Sequence, residues 1–291
     1  MPELPEVEVT RREILTVLIG RRIVRVHTTR PSYFFLTQPR TLKQRLAGRT
    51  VQDLVRHGKY LRALLDNGET LVLHLGMTGQ LFAAGTKSPR LLSATERGTL
   101  APEHLAAFKP DKHTHLRLEF ADGGPELMFR DTRKFGKVLL LAPGQKDARL
   151  EKLGIDALAA TGDELFEAAR LRRIPIKSLL LNQEVIAGIG NIYADEGLFL
   201  AGVRPTRAAC RVSREQCYAI VAACRGVMLR SIETGGSSIS DYVRPGGQDG
   251  GYQDERKVYA REGEPCPTCG AKIKRIVLGA RSAHYCSRCQ K

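Results

Sequence analysis

The sequence predicts an α+β protein of two domains. An N-terminal helix packs on a two-layered antiparallel β-sandwich, and a helical domain follows that ends in a β-ribbon zinc finger. Three observations lead there. Between residues 20 and 142, short runs of strand-forming residues are separated by turn signals. After about residue 150 the apolar residues recur at helical spacing. Near the C-terminal end, Cys266, Cys269, Cys286 and Cys289 stand as C-x2-C-x16-C-x2-C.

The elements follow in order. Pro5, Glu6 and Glu8 suit the first turn of a helix, which Val7, Thr10, Ile14 and Leu18 continue on one face until Gly20 stops it. Residues 23–27 alternate as a strand. Two hairpins are expected, 61–65 turning at Asp66-Asn67-Gly68 into 71–75, and 116–120 turning at Asp122-Gly123-Gly124 into 127–129. Residues 138–141 add a strand, and the polar stretch 85–112 reads as an irregular loop. The first domain is therefore drawn as 1–143.

From 150 to 234 the pattern is helical, with helices expected over 163–171, 176–181, 192–200 and 215–232. Asp163 and Ser213 are the expected caps, Gly202 and Gly235 the stops. Gly188 and Gly190, just before a helix, let backbone amides approach a phosphate, although a glycine turn between helices is more often structural. Residues 235–258 are rich in glycine and serine at their start. They read either as a functional loop or as a disordered connector.

The final segment, 259–291, stands without any family comparison. Two Cys-x-x-Cys knuckles fit one tetrahedral Zn2+ held by four thiolates. With its coordination filled, that metal is structural and activates no water. No organic cofactor is expected. Cys210, Cys217 and Cys224 read as small apolar residues rather than ligands.

Among the chain's 291 residues, 46 Lys and Arg outnumber 31 Asp and Glu, a net charge of +15. That excess favours a polyanionic partner, nucleic acid first, over a merely basic soluble protein. No apolar run approaches the roughly 18 residues of a membrane span, and the acidic start is no signal peptide. The expected location is the cytoplasm, at the nucleoid.

Chemistry enters at Met1-Pro2-Glu3. With Met1 removed, Pro2 carries a secondary amine, and α-amines titrate at around 7.7–8.0, against about 10.4 for lysine. A useful fraction is then nucleophilic at neutral pH, and the helix N-terminus disfavours its protonated form. Glu3, one peptide away, is placed to shuttle protons.

MPELPEVE resembles the start of the bacterial formamidopyrimidine-DNA glycosylases, and Leu4 favours that branch over the related endonuclease VIII branch. Further stretches carry the likeness along the whole chain: Gly58-Lys59-Tyr60-Leu61, His74-Leu75-Gly76-Met77-Thr78-Gly79, Asp131-Thr132-Arg133-Lys134-Phe135-Gly136, Gly190-Asn191-Ile192-Tyr193 and the zinc ribbon. The resemblance implies a helix–two-turn–helix in the second domain and a proline Schiff base with the deoxyribose of damaged duplex DNA. It makes Pro2 the nucleophile, with Glu3, Lys59 and Arg281 assisting. His113, Arg172, Lys177 and Asn191 would hold the DNA backbone. Met77 and Phe135 would wedge into the base stack while Arg133 fills the void, and the flexible 235–258 loop region would fold over the extruded base. Lys134 stands where the family most often has arginine, so a phosphate there loses a bidentate partner.

Plainer readings stand beside these: Lys59 as a solvated surface lysine, Met77 and Phe135 as core. His113 and His115, a lone His-x-His, are weak grounds for a metal. The implied activity is base-excision repair by a monomeric glycosylase and AP lyase. It would remove 8-oxoguanine and formamidopyrimidines from DNA bound in a basic cleft, then cut the abasic strand by β,δ-elimination. The competitors are an endonuclease VIII-like enzyme for oxidised pyrimidines and a non-catalytic zinc-ribbon nucleic-acid-binding protein.

Overall fold

The structure is a computed structural model that describes residues 2–91, 107–239 and 241–291. Met1 and much of the loop expected over 85–112 lie outside the described residues. The chain divides into two compact units. One comprises Met1–Asp147 with Gly235–Gly251, the other Ala148–Thr234 with Tyr252–Lys291.

The first unit begins with α1 (Leu4–Leu18), whose N-cap Glu3 is extended. The Glu6 carboxylate accepts the Glu3 amide at 2.8 Å, so a backbone donor at the helix start is satisfied from within the first turn. Next come β1 (Ile23–Thr28), α2 (Pro39–Leu46), β2 (Val51–His57), β3 (Tyr60–Leu65), β4 (Thr70–His74) and β5 (Gly79–Ala83). Then β6 (Thr114–Phe120), β7 (Leu127–Asp131) and β8 (Lys137–Leu141) complete two four-stranded sheets. Their orders are β1-β6-β7-β5 and β2-β3-β4-β8, with every neighbouring pair antiparallel. Both expected hairpins form, β3–β4 through Gly68 at φ 79° and β6–β7 through Gly123 at φ 70°.

One apolar core joins the layers. Leu54, Leu61, Leu73 and Val138 of one sheet share it with Leu81, Leu116 and Phe129 of the other, and Val7, Ile14 and Leu18 bring in α1. Glu8 adds a polar tie from α1 to β2, taking Arg11 at 2.9 Å and Arg56 at 3.1 Å. Burial alone would raise the Glu8 pKa, but hydrogen bonds from Arg11 and Arg12 overcome it and hold the group at about 2.

The second unit contains α3 (Ala148–Glu151), β9 (Ile155–Asp156), α4 (Gly162–Ala169), α5 (Ile176–Leu180), β10 (Ile186–Ala187), α6 (Asn191–Leu200) and α7 (Arg214–Glu233). It ends in the hairpin of β11 (Lys274–Leu278) and β12 (Arg281–Tyr285). Ser213 caps α7 as expected, accepting the Gln216 amide at 3.2 Å. The cap of α4 is Thr161 rather than Asp163, because Thr161 takes the Asp163 amide. The Asp163 carboxylate is instead engaged by Arg214 and by the Tyr218 hydroxyl at 2.6 Å. Cys217 and Cys224 are buried on α7, and burial pushes their thiols up to about 11 and about 12. They are unreactive core residues. Cys210, by contrast, is exposed rather than buried as expected.

Candidate functional site

Pro2 and Glu3 are both buried, Glu3 to 3% exposure. The N-terminal turn of α1 is held by Glu6, which is 1% exposed and uses both oxygens: one takes the Glu3 amide, the other the Ser237 amide at 2.9 Å. The glycine-rich segment is thereby tied beside the expected nucleophile. Its other anchors are Arg244 on Glu13 at 2.6 Å and the Asp241 carbonyl, which accepts from Gln80 at 2.8 Å. Gly236, at φ 87°, lets this happen, since a Cβ there would stand 2.8 Å from the Tyr242 ring.

Lys59 sits at the tip between β2 and β3, after Gly58 at φ 54°, and is 8% exposed. A solvated surface lysine is therefore excluded. Its charge is felt at His74, whose pKa falls to about 4 through burial first, then through Lys59 and Lys137. The neutral His74 ring accepts the Gly76 amide at Nδ1, 3.2 Å away, and lies 4.6 Å from the Tyr60 ring.

The two expected wedge turns meet on Asp131. This carboxylate is fully buried and accepts from the Thr78 hydroxyl, the Arg133 amide at 3.1 Å and the Gly136 amide at 2.7 Å. Thr78 follows Met77, so one acid fixes both turns. Glycines make the approach possible: a Cβ on Gly76 would stand 2.4 Å from the Gly136 nitrogen, and one on Gly79 would stand 2.1 Å from the Leu75 carbonyl. Phe135 remains 43% exposed, Met77 is half-buried, and the Arg133 guanidinium lies 4.9 Å over the Phe135 ring. Neither apolar side chain is core. Lys134 occupies the left-handed region at φ 59°, where a side chain is strained.

His113 is half-buried beside this turn. Burial first, then Arg130, Lys112 and Lys134 hold its pKa below the ordinary histidine range, against the pull of Asp111. The ring stays neutral at neutral pH and offers a single N–H donor.

In the second unit, Gln183 shapes the turn before α6. Its amide nitrogen donates to the Leu181 and Ile189 carbonyls, and its oxygen accepts the Gly188 amide at 3.0 Å. Asn191 then opens α6 and donates to the Ser282 hydroxyl at 3.3 Å, while its own oxygen is buried without a partner. Two buried carboxylates of α6 bind the ribbon to this helix. Asp195 forms an ion pair with Lys177 at 2.6 Å and accepts the His284 amide at 2.9 Å. Glu196 accepts the amides of Lys257, Val258 and Tyr259 at 2.7, 2.9 and 2.8 Å.

Lys177 departs from the expected backbone contact. It is 1% exposed, and its ammonium is taken up by Asp195 and the Ser282 carbonyl, so it acts as an internal strut under Asn191 and β12. Arg281, by contrast, is exposed at the start of β12, presented by a two-residue turn with Gly279 and Ala280 both at positive φ. Arg172 is exposed past the end of α4, where it donates to the Ala168 carbonyl at 2.9 Å.

The four ribbon cysteines converge, with all their sulfurs within 4.8 Å of one another. Cys266 and Cys289 lie 3.8 Å apart, Cys269 and Cys286 3.4 Å. A tetrahedron with Zn–S of about 2.3 Å has edges of about 3.8 Å, so the set fits one zinc ion.

Comparison with known proteins agrees along the whole chain. Residues 1–138 match the formamidopyrimidine-DNA glycosylase N-terminal domain, 153–243 its H2TH domain, and 263–291 the zinc finger found in FPG and IleRS. The formamidopyrimidine-DNA glycosylase of Dinoroseobacter shibae is 39% identical, with 100% of each chain covered.

The chain belongs to the formamidopyrimidine-DNA glycosylase family.

Solved structures of that family superpose closely. A Lactococcus lactis Fpg bound to DNA containing an abasic site matches with a TM-score of 0.84 at 33% identity, over 100% of both chains. A variant of the same protein bound to Fapy-dG-containing DNA gives the same TM-score and coverage. Within this family frame, Glu6, Thr78, Asp131, Gln183, Asp195 and Glu196 are the residues that sequence reasoning missed. Asp131 had a signal, since it opens the stretch that carries Arg133. Thr78, Asp195 and Glu196 find partners far away in the chain, Glu6 ties Glu3 to distant Ser237, and Gln183 bonds within its own turn.

Proposed function

We propose that this chain is a bifunctional DNA glycosylase and AP lyase that removes oxidised purines, 8-oxoguanine and formamidopyrimidines, from duplex DNA. It works as a monomer in the cytoplasm, at the nucleoid. No described helix is long and apolar enough to cross a membrane. The observation that carries the reading is the placement of Pro2 against Glu3 and the capped start of α1, on the same Glu6 that anchors the glycine-rich segment.

Duplex DNA is held through its phosphates by Asn191, Arg172, Arg281, His113 and Lys134, so affinity falls steeply with salt. Met77, Phe135 and Arg133 occupy the gap left by the everted nucleotide, which offsets a cost of a few kcal/mol. Pro2, freed of Met1, attacks C1′ with its nitrogen lone pair and gives up its N–H proton. The C1′–base bond breaks as the base takes a proton, and the C1′–O4′ bond then opens, with O4′ taking a proton, to leave an iminium at C1′. Glu3 moves the proton taken by the base and later receives the one lost from C2′, which the iminium at C1′ acidifies. Loss of the C2′ proton expels the 3′ phosphate, and a second elimination expels the 5′ phosphate. Lys59, buried beside the expected nucleotide site, assists proton transfer. Water then hydrolyses the iminium and releases Pro2. The zinc supplies no reaction chemistry; it locks the ribbon that presents Arg281.

Borohydride reduction during turnover should trap a covalent protein–DNA adduct at residue 2, and Pro2→Gly should trap far less. An adduct mapping to a lysine, or lesion processing by protein that retains Met1, would overturn the assignment. Excision of 8-oxoguanine opposite cytosine, compared with thymine glycol, separates this reading from an enzyme for oxidised pyrimidines.

A further inference from the structure

A second basic feature lies on the first unit, apart from the residues assigned above. An open cavity of about 500 Å³ runs between the end of β1 and α2, lined by Thr28, Thr29, Arg30, Arg40, Lys43 and Gln44, with prolines 31 and 39 on its walls. Neighbouring cations are neutralised: Arg25 by Glu119, Arg45 by Glu69, Arg117 by Glu126. Arg30, Arg40 and Lys43 are exposed and have no acidic partner among the described residues. The Thr28 hydroxyl, buried in the cavity wall, has no hydrogen-bond partner either. Three unpaired cations, one from the turn after β1 and two from α2, around an open hollow with a spare hydroxyl and apolar walls suit a sugar-phosphate backbone.

The cavity is also wired to the wedge turn. Thr29 bonds His115 at 3.1 Å, and His115 bonds the Asp131 carbonyl at 2.9 Å, on the residue that fixes Arg133. Two residues beyond Pro31, the Tyr33 hydroxyl donates to the Arg133 carbonyl at 2.9 Å. Two residues of chain span at most about 7 Å, and a tyrosine side chain adds about as much again. The cavity rim thus begins within about 15 Å of the wedge, at most about four phosphate steps at about 3.4 Å per phosphate along one strand.

We propose that this β1–α2 groove is a further DNA-backbone site, which grips phosphodiesters of the flanking duplex within about four base pairs of the everted nucleotide. The proposal rests on the reading of the chain as a DNA repair enzyme and extends its footprint beyond the lesion.

The test uses the full-length protein, the Arg40→Gln/Lys43→Gln double variant, and duplexes containing a stable abasic-site analogue. Each lost phosphate contact lowers the slope of log K against log salt by about 1. On a duplex with ten base pairs either side, the variant should show a slope smaller by about 1–2 and a Kd roughly five- to twentyfold higher at fixed salt. On one of two duplexes, each trimmed to two base pairs on a single flank, variant and wild type should bind alike. Single-turnover nicking of abasic DNA at saturating protein should be unchanged. An unchanged slope on the long duplex overturns the proposal, as does equal weakening on both trimmed duplexes, which marks a general loss of charge. Wild-type protein that does not nick abasic DNA at all refutes the repair reading instead, so the two failures are distinguishable.

Discussion

Replacing Asp131 with asparagine changes one atom of the carboxylate that fixes both wedge turns. The Asn oxygen can keep the bonds from the Thr78 hydroxyl and the Arg133 amide, but its NH2 then faces the Gly136 amide, now 2.7 Å from an acceptor. A charge-assisted bond worth about 1.5–3 kcal/mol is lost, and a buried amide is left unsatisfied at about 1–3 kcal/mol. Relief of the carboxylate's desolvation offsets part of this. A net loss of about 2–4 kcal/mol follows, concentrated in the Arg133–Gly136 turn. If about 2 kcal/mol of it shifts that turn out of its binding conformation, the apparent Kd for a lesion duplex rises by roughly ten- to thirtyfold. The assay pairs urea unfolding with binding and single-turnover nicking on double- and single-stranded abasic DNA. Single strands need no wedge, because no base pair has to be opened. The variant should therefore lose stability and duplex binding yet nick the single strand nearly as wild type does. Equal loss on both substrates, or undiminished stability, would refute this account of Asp131.

Three further outcomes are expected. Chelating the zinc should release the Cys266–Cys289 ribbon, and with it Arg281 and the Ser282 partner of Asn191; DNA affinity measured by anisotropy should collapse, whereas unchanged affinity in metal-free protein would sink the assignment. His74 has a folded pKa of about 4, below the unfolded value of about 6.5, so the unfolded chain binds the proton more readily. Its contribution is present in full above about 6.5 and is lost as pH falls towards 4; His74→Gln should flatten the urea midpoint across that window. Lys134→Gly removes the strain of φ 59° and should stabilise the protein by about 1 kcal/mol, while it weakens DNA binding by one phosphate contact; effects of the same sign in both assays would contradict that reading.

How legible was this protein in its sequence? Wherever a local signal decides, the reading stands: the helix begun by Pro5 and Glu6, both hairpins with their Asp-Asn-Gly and Asp-Gly-Gly turns, the Ser213 cap, and the cysteine knuckles. Helix α2 and strand β5 carry no such local signal. The α2 sequence PRTLKQRL offers only Leu42 and Leu46 as a core stripe and is otherwise mostly polar or charged, and β5 is entered through Gly79 with no alternation to mark it. Asp163 looked like a cap and is not, since Thr161 two residues earlier forms a capping box with Glu164 and takes the Asp163 amide.

What the sequence determined by itself is a matter of covalent and short-range chemistry: an imino acid behind Met1, four thiols at ligand spacing, a cationic excess, glycines where the backbone turns left-handed. Only the tertiary structure decided which charges are available. It spent Lys177 on Asp195, buried Lys59, left Arg30, Arg40 and Lys43 without an acidic partner among the described residues, and drew the turns of Met77 and Phe135 onto Asp131. Those outcomes depend on partners 18 to more than 100 residues away, and the cost of burying an unpaired charge, which selects them, exists only once the chain has folded around it.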